Sequence, residues 1–352
     1  MIPGFDAGNF RFKVGCPDSA GNPVLITNSF GETFIRSVVY FAEDGSILVG
    51  TEAENAALAN PQRAVFDWKP HMGTDDILYT AEDGRKYKAK NILAILLKSV
   101  KETIEAKTGR VCDEAVISTP ANYNDVQKQQ TIEGAHEAGL KVLLLIHEPT
   151  AAALGNELHK KKDGVVLVFD LGGGTFDVSL VQVKGNLFEV IATGGERLGG
   201  RDFNECINQK VLDEFEAEHN YRPNQKEHPV FYQEMAQRVE HLKVSLSAQK
   251  QSQIVLSCDG DQFKTTITRD QFNSWVLPLA EKAMKRTELT VKEAKLDWPD
   301  ISEVYAVGGG SMPPIIIELL EKLTGKKVSR RCEPHCAAAL GAVIAGRLEC
   351  AR

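Results

Sequence analysis

The chain has 352 residues, of which 43% are hydrophobic, so it is long enough to form two lobes with a core in each. Charges of both signs are mixed, the net charge is −7, and no Lys/Arg block tracks a phosphate backbone, so nucleic acid is excluded as an expected partner. No apolar run reaches membrane-spanning length, the N-terminus lacks a signal-peptide pattern, and the seven cysteines are scattered. We therefore expect a cytoplasmic protein with free thiols and no membrane partner.

Strand-like and helix-like segments alternate along the chain, which predicts the α/β class. The predicted elements are, in chain order, a strand at Val111–Ser118, a helix from Asn124 that ends at Gly139, a strand at Val142–Ile146, a helix from Glu148, a strand at Val304–Val307 and a helix from about Ile315.

Two stretches are predicted to be smaller inserted subdomains. Residues 38–90 contain short strand-like runs and turns. Residues 204–284 contain long helix-like segments, a hairpin at Cys258–Asp261, and a helix whose start is indicated by a capping box of Thr268 and Gln271.

One short pattern occurs twice. Phe5-Asp6-Ala7-Gly8 and Phe169-Asp170-Leu171-Gly172 both place Phe-Asp-x-Gly at the end of a predicted strand. The simplest explanation is a duplication that produced two related lobes facing a common cleft. We predict that residues 1–160 with 332–352 form lobe I, and that residues 161–331 form lobe II.

The second copy lies in VLVFDLGGGTFDVSLVQV, residues 166–183, where glycines join two predicted strands. The backbone N–H groups of such a turn suit phosphate oxygens, but Asp170 and Asp177 would repel phosphate unless Mg²⁺ lies between them. Asp6 would reach the same ion from the other lobe. The alternative is an ordinary glycine-rich hairpin with turn-forming aspartates. The repeat and a third glycine turn, Gly308–Gly310, favour a metal-phosphate clamp.

At these residues the chain resembles the actin-like ATPase superfamily and, more closely, the nucleotide-binding domain of the 70-kilodalton heat-shock chaperone (DnaK) family. The resemblance covers nearly the whole chain and implies the actin-like ATPase (ribonuclease H-like) fold: two lobes of duplicated βββαβα type with inserted subdomains around a nucleotide cleft. The stretches that carry it are VFDWKPHMG, ISTPANYNDVQKQQT, HEPTAAALG, VFDLGGGTFDVS, LGGRDFN and VGGGSMPP.

The resemblance implies a slow ATPase that binds ATP or ADP with Mg²⁺, with K⁺ as an optional further ion, and whose lobes move with nucleotide state. The implied catalytic residues are Lys69, Glu148, Asp170, Thr175 and Asp177, and the implied metal ligands, mainly through water, are Asp6, Asp170 and Asp177. The implied nucleotide contacts are Asp6, Gly8, Asn9, Phe10, Gly172, Gly173, Gly174, Thr175, Gly199, Gly200, Glu240, Lys243, Ser247, Gly308, Gly309, Gly310 and Met312. Pro120 would relay nucleotide state.

Without the resemblance, several of these residues have ordinary explanations. Lys69 is then one surface lysine among many, and Glu148 is a carboxylate favoured by a helix N-terminus. Glu240, Lys243 and Ser247 share one face of a predicted helix, which is also typical of a solvated face.

The chain departs from the family where the base and phosphates would bind. Val244 and Met312 stand at positions where two arginines usually stack on adenine, and each lost cation–π contact is worth about 0.5–2 kcal/mol. Asn9 and Phe10 replace two hydroxyl residues of the first phosphate loop, and the Asn9 amide is expected to replace one donor. Lys128 stands where the family usually has an arginine, and a lysine cannot form the paired hydrogen bonds of a guanidinium group. We expect weaker ATP binding or relaxed base selectivity.

Two other functions stay open at this point. One is an actin-like ATPase that forms filaments, and the other is a regulatory pseudo-ATPase with weak nucleotide binding, suggested by Val244, Met312, Asn9 and Phe10. For a chaperone-like protein, the expected partners are a co-chaperone or exchange factor, and a client bound through a substrate domain that this sequence does not contain.

Overall fold

The computed structural model describes residues 1–156, 163–185, 187–329, 333 and 335–350. The strands are β1 (Gly4–Ala7), β2 (Arg11–Pro17), β3 (Pro23–Leu25), β4 (Ile35–Arg36), β5 (Val39–Phe41), β6 (Ile47–Val49), β7 (Ala64–Val65), β8 (Tyr79–Thr80), β9 (Lys86–Tyr87), β10 (Glu114–Thr119), β11 (Lys141–His147), β12 (Gly164–Leu171), β13 (Phe176–Lys184), β14 (Leu187–Glu196), β15 (Gln251–Cys258), β16 (Asp261–Thr268), β17 (Ile301–Val307) and β18 (Val328–Ser329).

The helices are α1 (Thr51–Ala57), α2 (Ala89–Thr108), α3 (Asp125–Glu137), α4 (Glu148–Gly155), α5 (Gly200–His219), α6 (Pro229–Ala248), α7 (Arg269–Glu293), α8 (Pro314–Thr324) and α9 (Ala337–Cys350), with 3₁₀ turns at Pro61–Arg63, Lys69–His71, Trp298–Asp300 and Gly309–Ser311. Within the described ranges, no helix has both the length and the apolar character needed to cross a membrane.

The chain divides into two compact units. Unit 1 comprises Met1–Asp163, Val183–Val190 and Arg331–Arg352, and unit 2 comprises Gly164–Gln182 and Ile191–Arg330. The lobe boundaries predicted from the sequence, at 160/161 and 331/332, lie outside the described residues and stay predictions.

Two five-strand arrangements share one topology. The first sheet has the order β11-β10-β1-β2-β3, with β4 added beside β2, and the second has the order β14-β13-β12-β17-β18. β1 pairs antiparallel with β2 and parallel with β10, and β12 pairs in parallel with β17. In both sheets a meander of three strands precedes two parallel strands that are reached through helices. The α/β class predicted from the sequence is confirmed.

Local signals in the sequence explain where several elements begin and end. The Asn124 side chain accepts a hydrogen bond from the backbone N–H of Gln127, which caps α3, and Gly139 follows the helix with φ 74°. Thr268 caps α7 in the same way. β15 and β16 are joined by Asp259 and Gly260, both with positive φ, as the tight two-residue hairpin turn requires.

One strand boundary differs from the sequence-based prediction. β10 begins at Glu114 rather than Val111, and the Val111 side chain is 68% exposed. The apolar residue belongs to the loop after α2, so hydrophobicity alone misplaced the start of the strand.

Each unit has its own hydrophobic core. In unit 1, α2 packs residues spaced by four, such as Ile92, Leu96 and Val100, against the first sheet. In unit 2, Phe169 and Phe176 are fully buried among residues of α5, α6 and α7. These cores fix the ends of β1 and β12, where the repeated Phe-Asp-x-Gly pattern lies.

Candidate functional site

In unit 1, Asp6 lies near the end of β1 and forms an ion pair within its own hairpin. The register places Lys13 on β2 directly opposite Asp6, and the Lys13 Nζ lies 3.1 Å from Asp6 Oδ2. Both side chains are 12% exposed, so the pair is partly desolvated. The carboxylate of the first repeat is therefore neutralised by a neighbouring cation.

Lys69 and Glu148 meet in unit 1 although they are 79 positions apart in the chain. Lys69 begins a 3₁₀ turn and Glu148 begins α4, and the Lys69 Nζ lies 2.7 Å from Glu148 Oε1. Burial is the largest single influence on the pKa of the Lys69 ammonium and would lower it, but the acidic groups around it, led by Glu148, together outweigh burial and the pKa is raised. Lys69 is therefore a permanent cation held in one direction by Glu148.

Asn9 joins the first glycine loop to the segment that carries Lys69. Its Oδ1 accepts a hydrogen bond from the Lys69 backbone N–H at 3.1 Å, and its Nδ2 donates to Asp67 Oδ1 at 3.0 Å. From the sequence alone, the Asn9 amide is expected to replace a hydroxyl donor to phosphate. In the structure its N–H donor points to Asp67 and its oxygen fixes the main chain at Lys69.

A small cavity of unit 1 lies beside Lys69 and is lined by Trp68, Thr119, Pro120 and Tyr123 among others. The Trp68 Nε1 and Thr119 Oγ1 atoms are fully buried and have no hydrogen-bond partner among the described residues. Burial raises the pKa of the Tyr123 phenol, so this hydroxyl stays protonated at neutral pH. Pro120 thus lines a cavity that Lys69 also lines.

In unit 2, three glycine-containing loops converge at the end of β12. The Gly172 N–H donates to the Thr175 carbonyl at 2.9 Å, and this bond closes the β12–β13 hairpin. A Cβ at Gly199 would lie 2.6 Å from the Gly173 carbonyl oxygen, and a Cβ at Gly310 would lie 2.9 Å from that of Gly172. Glycine is required at positions 199 and 310 because a side chain there would clash with the backbone of the neighbouring loop.

The same hairpin places two carboxylates on one face. Counted from the Gly172–Thr175 bond, the antiparallel register brings Asp170 opposite Asp177, as the corresponding register brings Asp6 opposite Lys13. Directly opposed side chains share a face of the hairpin, so the two carboxylates can act on one ligand. Asp170 is half-buried and Asp177 is exposed. This donor set fits Mg²⁺ and its water shell.

The second glycine loop is tied to α6 by a buried lysine. The Lys243 Nζ donates to the Gly200 carbonyl at 3.0 Å and to Glu240 Oε2 at 2.8 Å. The Asn204 amide donates to the same Glu240 oxygen at 2.7 Å. Lys243 and Glu240 are therefore held in place by α5, and Ser247 follows one turn later on the same helix face.

The two apolar replacements also lie in unit 2. Val244 on α6 is 60% exposed, and Met312, which follows the Gly309–Ser311 turn, is 37% exposed. Both present apolar surface to solvent, at the two positions where the resemblance led us to expect arginine.

Sequence reasoning missed several neighbours of the predicted residues: Lys13, Asp67, Trp68, Tyr123 and Asn204. One of them had a visible signal. Lys13 follows Asp6 by the same seven positions that separate Asp177 from Asp170. The other four have no repeat or spacing in the sequence that marks them as neighbours of the site.

Comparison with known protein families gives one match that covers nearly the whole chain. A family model described as Hsp70 protein matches residues 2–350. The chain belongs to the Hsp70 protein family, and the resemblance inferred from the sequence is confirmed.

The family defines the class of the molecule. Its fold is that of the actin-like ATPases, with which the mixed α/β sheets agree. Hsp70 proteins are chaperone ATPases that bind ATP or ADP with Mg²⁺ and work with co-chaperones and clients. The chain is a chaperone-type nucleotide-binding ATPase domain.

Proposed function

We propose that this protein binds ATP with Mg²⁺, hydrolyses it slowly, and changes the angle between its lobes with nucleotide state. We also propose a cytoplasmic location. The observation that carries the proposal is the Lys69–Glu148 pair, with 2.7 Å between Nζ and Oε1. A partly buried lysine fixed by a carboxylate at a helix N-terminus is suited to stabilise charge on a phosphate and to orient a water molecule.

Each unit is proposed to contribute its own set of nucleotide contacts. In unit 1 these are Asp6, Gly8 and Phe10 with Lys69 and Glu148, whereas Asn9 would act through the Lys69 main chain that it holds. In unit 2, the N–H groups of Gly172–Gly174 and the Thr175 hydroxyl would bind the β- and γ-phosphates, and Gly199, Gly200 and Gly308–Gly310 would close around them. Asp6, Asp170 and Asp177 would hold Mg²⁺ mainly through its water, and the ion would supply charge neutralisation for the phosphates.

The proposed adenosine contacts are Glu240, Lys243 and Ser247 for the ribose and base, with Val244 and Met312 as apolar faces for the base. The exposure of Val244 and Met312 supports this, because apolar side chains open to solvent can bury surface against a ring. Without arginine, base selectivity is expected to be lower than is usual in the family.

Lys69→Ala tests the proposal. We expect turnover of bound ATP to fall by more than about 100-fold while nucleotide affinity changes little, because the interaction strengthens as phosphate charge develops. Unchanged turnover would remove Lys69 from the reaction.

Loss of Lys69 also leaves Glu148 without its cation, so stability must be controlled. Lys101→Ala is the matched variant: Lys101 is 17% exposed, donates to the Gly139 carbonyl at 2.8 Å and lies in the same unit. Both variants should lose stability, and only Lys69→Ala should lose turnover. Asp170→Ala combined with Asp177→Ala should remove the Mg²⁺ dependence of nucleotide binding.

A further inference from the structure

A second cluster of metal-ligand side chains lies in unit 2, at the junction of α6 and the β15–β16 hairpin. His228 immediately precedes α6, Cys258 ends β15, and Asp259 is the first residue of the hairpin turn. One donor atom from each of the three side chains lies within 4.8 Å of the other two. The nucleotide residues proposed above do not include any of the three.

The His228 ring is oriented by contacts on both nitrogens. Its Nε2 lies 3.0 Å from Asp259 Oδ2, and its Nδ1 lies 3.2 Å from the Asn224 carbonyl oxygen. When Nδ1–H donates to that carbonyl, the Nε2 lone pair faces a carboxylate oxygen, and either a second proton on Nε2 or a metal ion would relieve this repulsion. Metal-binding histidines usually have such a carbonyl partner on the other nitrogen. In the other tautomer, Nδ1 accepts from the Asn224 N–H at 3.1 Å and Nε2–H bonds to Asp259 directly.

Cys258 adds the ligand that distinguishes metals. Its side chain is 4% exposed, its carbonyl accepts a hydrogen bond from the Tyr221 hydroxyl at 3.1 Å, and burial raises the pKa of the thiol. A divalent ion would displace the thiol proton to solvent as the metal–sulfur bond forms, without any change of oxidation state. The thiolate and the Asp259 carboxylate would then balance the charge of the ion, and the imidazole would stay neutral.

We propose that His228 Nε2, Cys258 Sγ and Asp259 bind one divalent transition-metal ion of the zinc class, with a fourth position for water. Sulfur, nitrogen and oxygen ligands in this combination suit zinc or cobalt, whereas Mg²⁺ prefers oxygen alone. The ion would cross-link the start of α6 to the hairpin. The proposal is independent of nucleotide binding.

Cobalt titration of the metal-free protein tests this site directly, because Co²⁺ bound to thiolate gives an intense near-ultraviolet charge-transfer band. Saturating Mg²⁺ is present throughout, so that Co²⁺ does not occupy the proposed magnesium site at Asp170 and Asp177. We expect one equivalent of Co²⁺ to produce the band, one proton to be released for each ion, and Zn²⁺ to abolish the band by displacement. Zinc should also raise the unfolding temperature.

Variants locate the ion. Cys258→Ser and His228→Gln should each weaken Co²⁺ binding by more than about 100-fold, since even residues that only support a metal ligand contribute 10- to 100-fold. Cys206→Ser is the control, because Cys206 is a half-buried thiol on α5 of the same unit, and it should keep the band. A band that survives Cys258→Ser, or Co²⁺ binding without any thiolate band, overturns the proposal. If Cys258→Ser fails to fold, the Co²⁺ spectrum of the unmutated protein shows whether a thiolate binds the ion, and His228→Gln shows whether the ion is at this site.

Discussion

The link through Asn9 gives the sharpest prediction about catalysis. Asn9→Ala removes the hydrogen bond to the Lys69 backbone N–H and the exposed one to Asp67. A hydrogen bond contributes about 0.5–1.5 kcal/mol net, and exposure reduces the second, so the loss is about 1–2 kcal/mol. If this energy orients Lys69, turnover of bound ATP falls roughly 5- to 30-fold. One of the two Asn9 side-chain N–H groups is already bonded to Asp67, so ATP affinity should fall less than turnover does.

Single-turnover hydrolysis and calorimetric titration separate these two quantities. Asn22→Ala is the matched control, since the Asn22 amide donates to Asp18 at 3.3 Å in an exposed turn of the same unit. It should leave both turnover and affinity unchanged. Lost affinity with normal turnover of bound ATP would refute the reasoning, and would return Asn9 to the phosphate-binding role that the sequence suggested.

Three further changes test the described packing and charges. Gly199→Ala forces a Cβ into the backbone of the glycine turn and should lower the free energy of unfolding by about 1–3 kcal/mol in urea, whereas Gly309→Ala, with open space around it, should change it by under about 0.5 kcal/mol. Lys13→Met should cost about 1–3 kcal/mol because the partly buried Asp6 loses its cation, and adding Asp6→Asn should restore much of it; a purely additive double-mutant cycle would contradict the pairing. Burial, with Lys128 nearby, lowers the pKa of His147, so the unfolded state binds more protons and stability should fall as the pH drops below about 6.5; His147→Gln should flatten this slope, and an unchanged slope would contradict it.

The hairpins could be predicted from the sequence because the patterns that specify them are local. The Phe-Asp-x-Gly pattern, the glycine turn and the caps at Asn124 and Thr268 each span a few residues, and each determines backbone geometry over the same few residues. The duplicated sheet topology follows from repeating such a unit. The strand at β10 was misplaced since its loop carries an exposed Val111, which hydrophobicity cannot distinguish from a strand residue.

The contacts of the candidate site were harder to predict because they join segments that are far apart in the sequence. Asn9 meets the Lys69 backbone across 60 positions, and Lys69 meets Glu148 across 79. Periodicity carries no information at that range, and only the family resemblance singled out Lys69 and Glu148. The phosphate contact that the resemblance suggested for Asn9 stays a prediction, since a family position indicates a residue's location and not the partner that a substituted side chain selects.

Calorimetric titration with ATP, ADP and GTP, with and without Mg²⁺, tests the central claim most directly. We predict Mg²⁺-dependent binding of ATP and ADP, and weaker binding of GTP. The difference in affinity between ATP and GTP should be small, because the apolar Val244 and Met312 stand where arginines are expected. Absence of binding to any of the three nucleotides would contradict it, and would make the protein a scaffold on an ATPase fold.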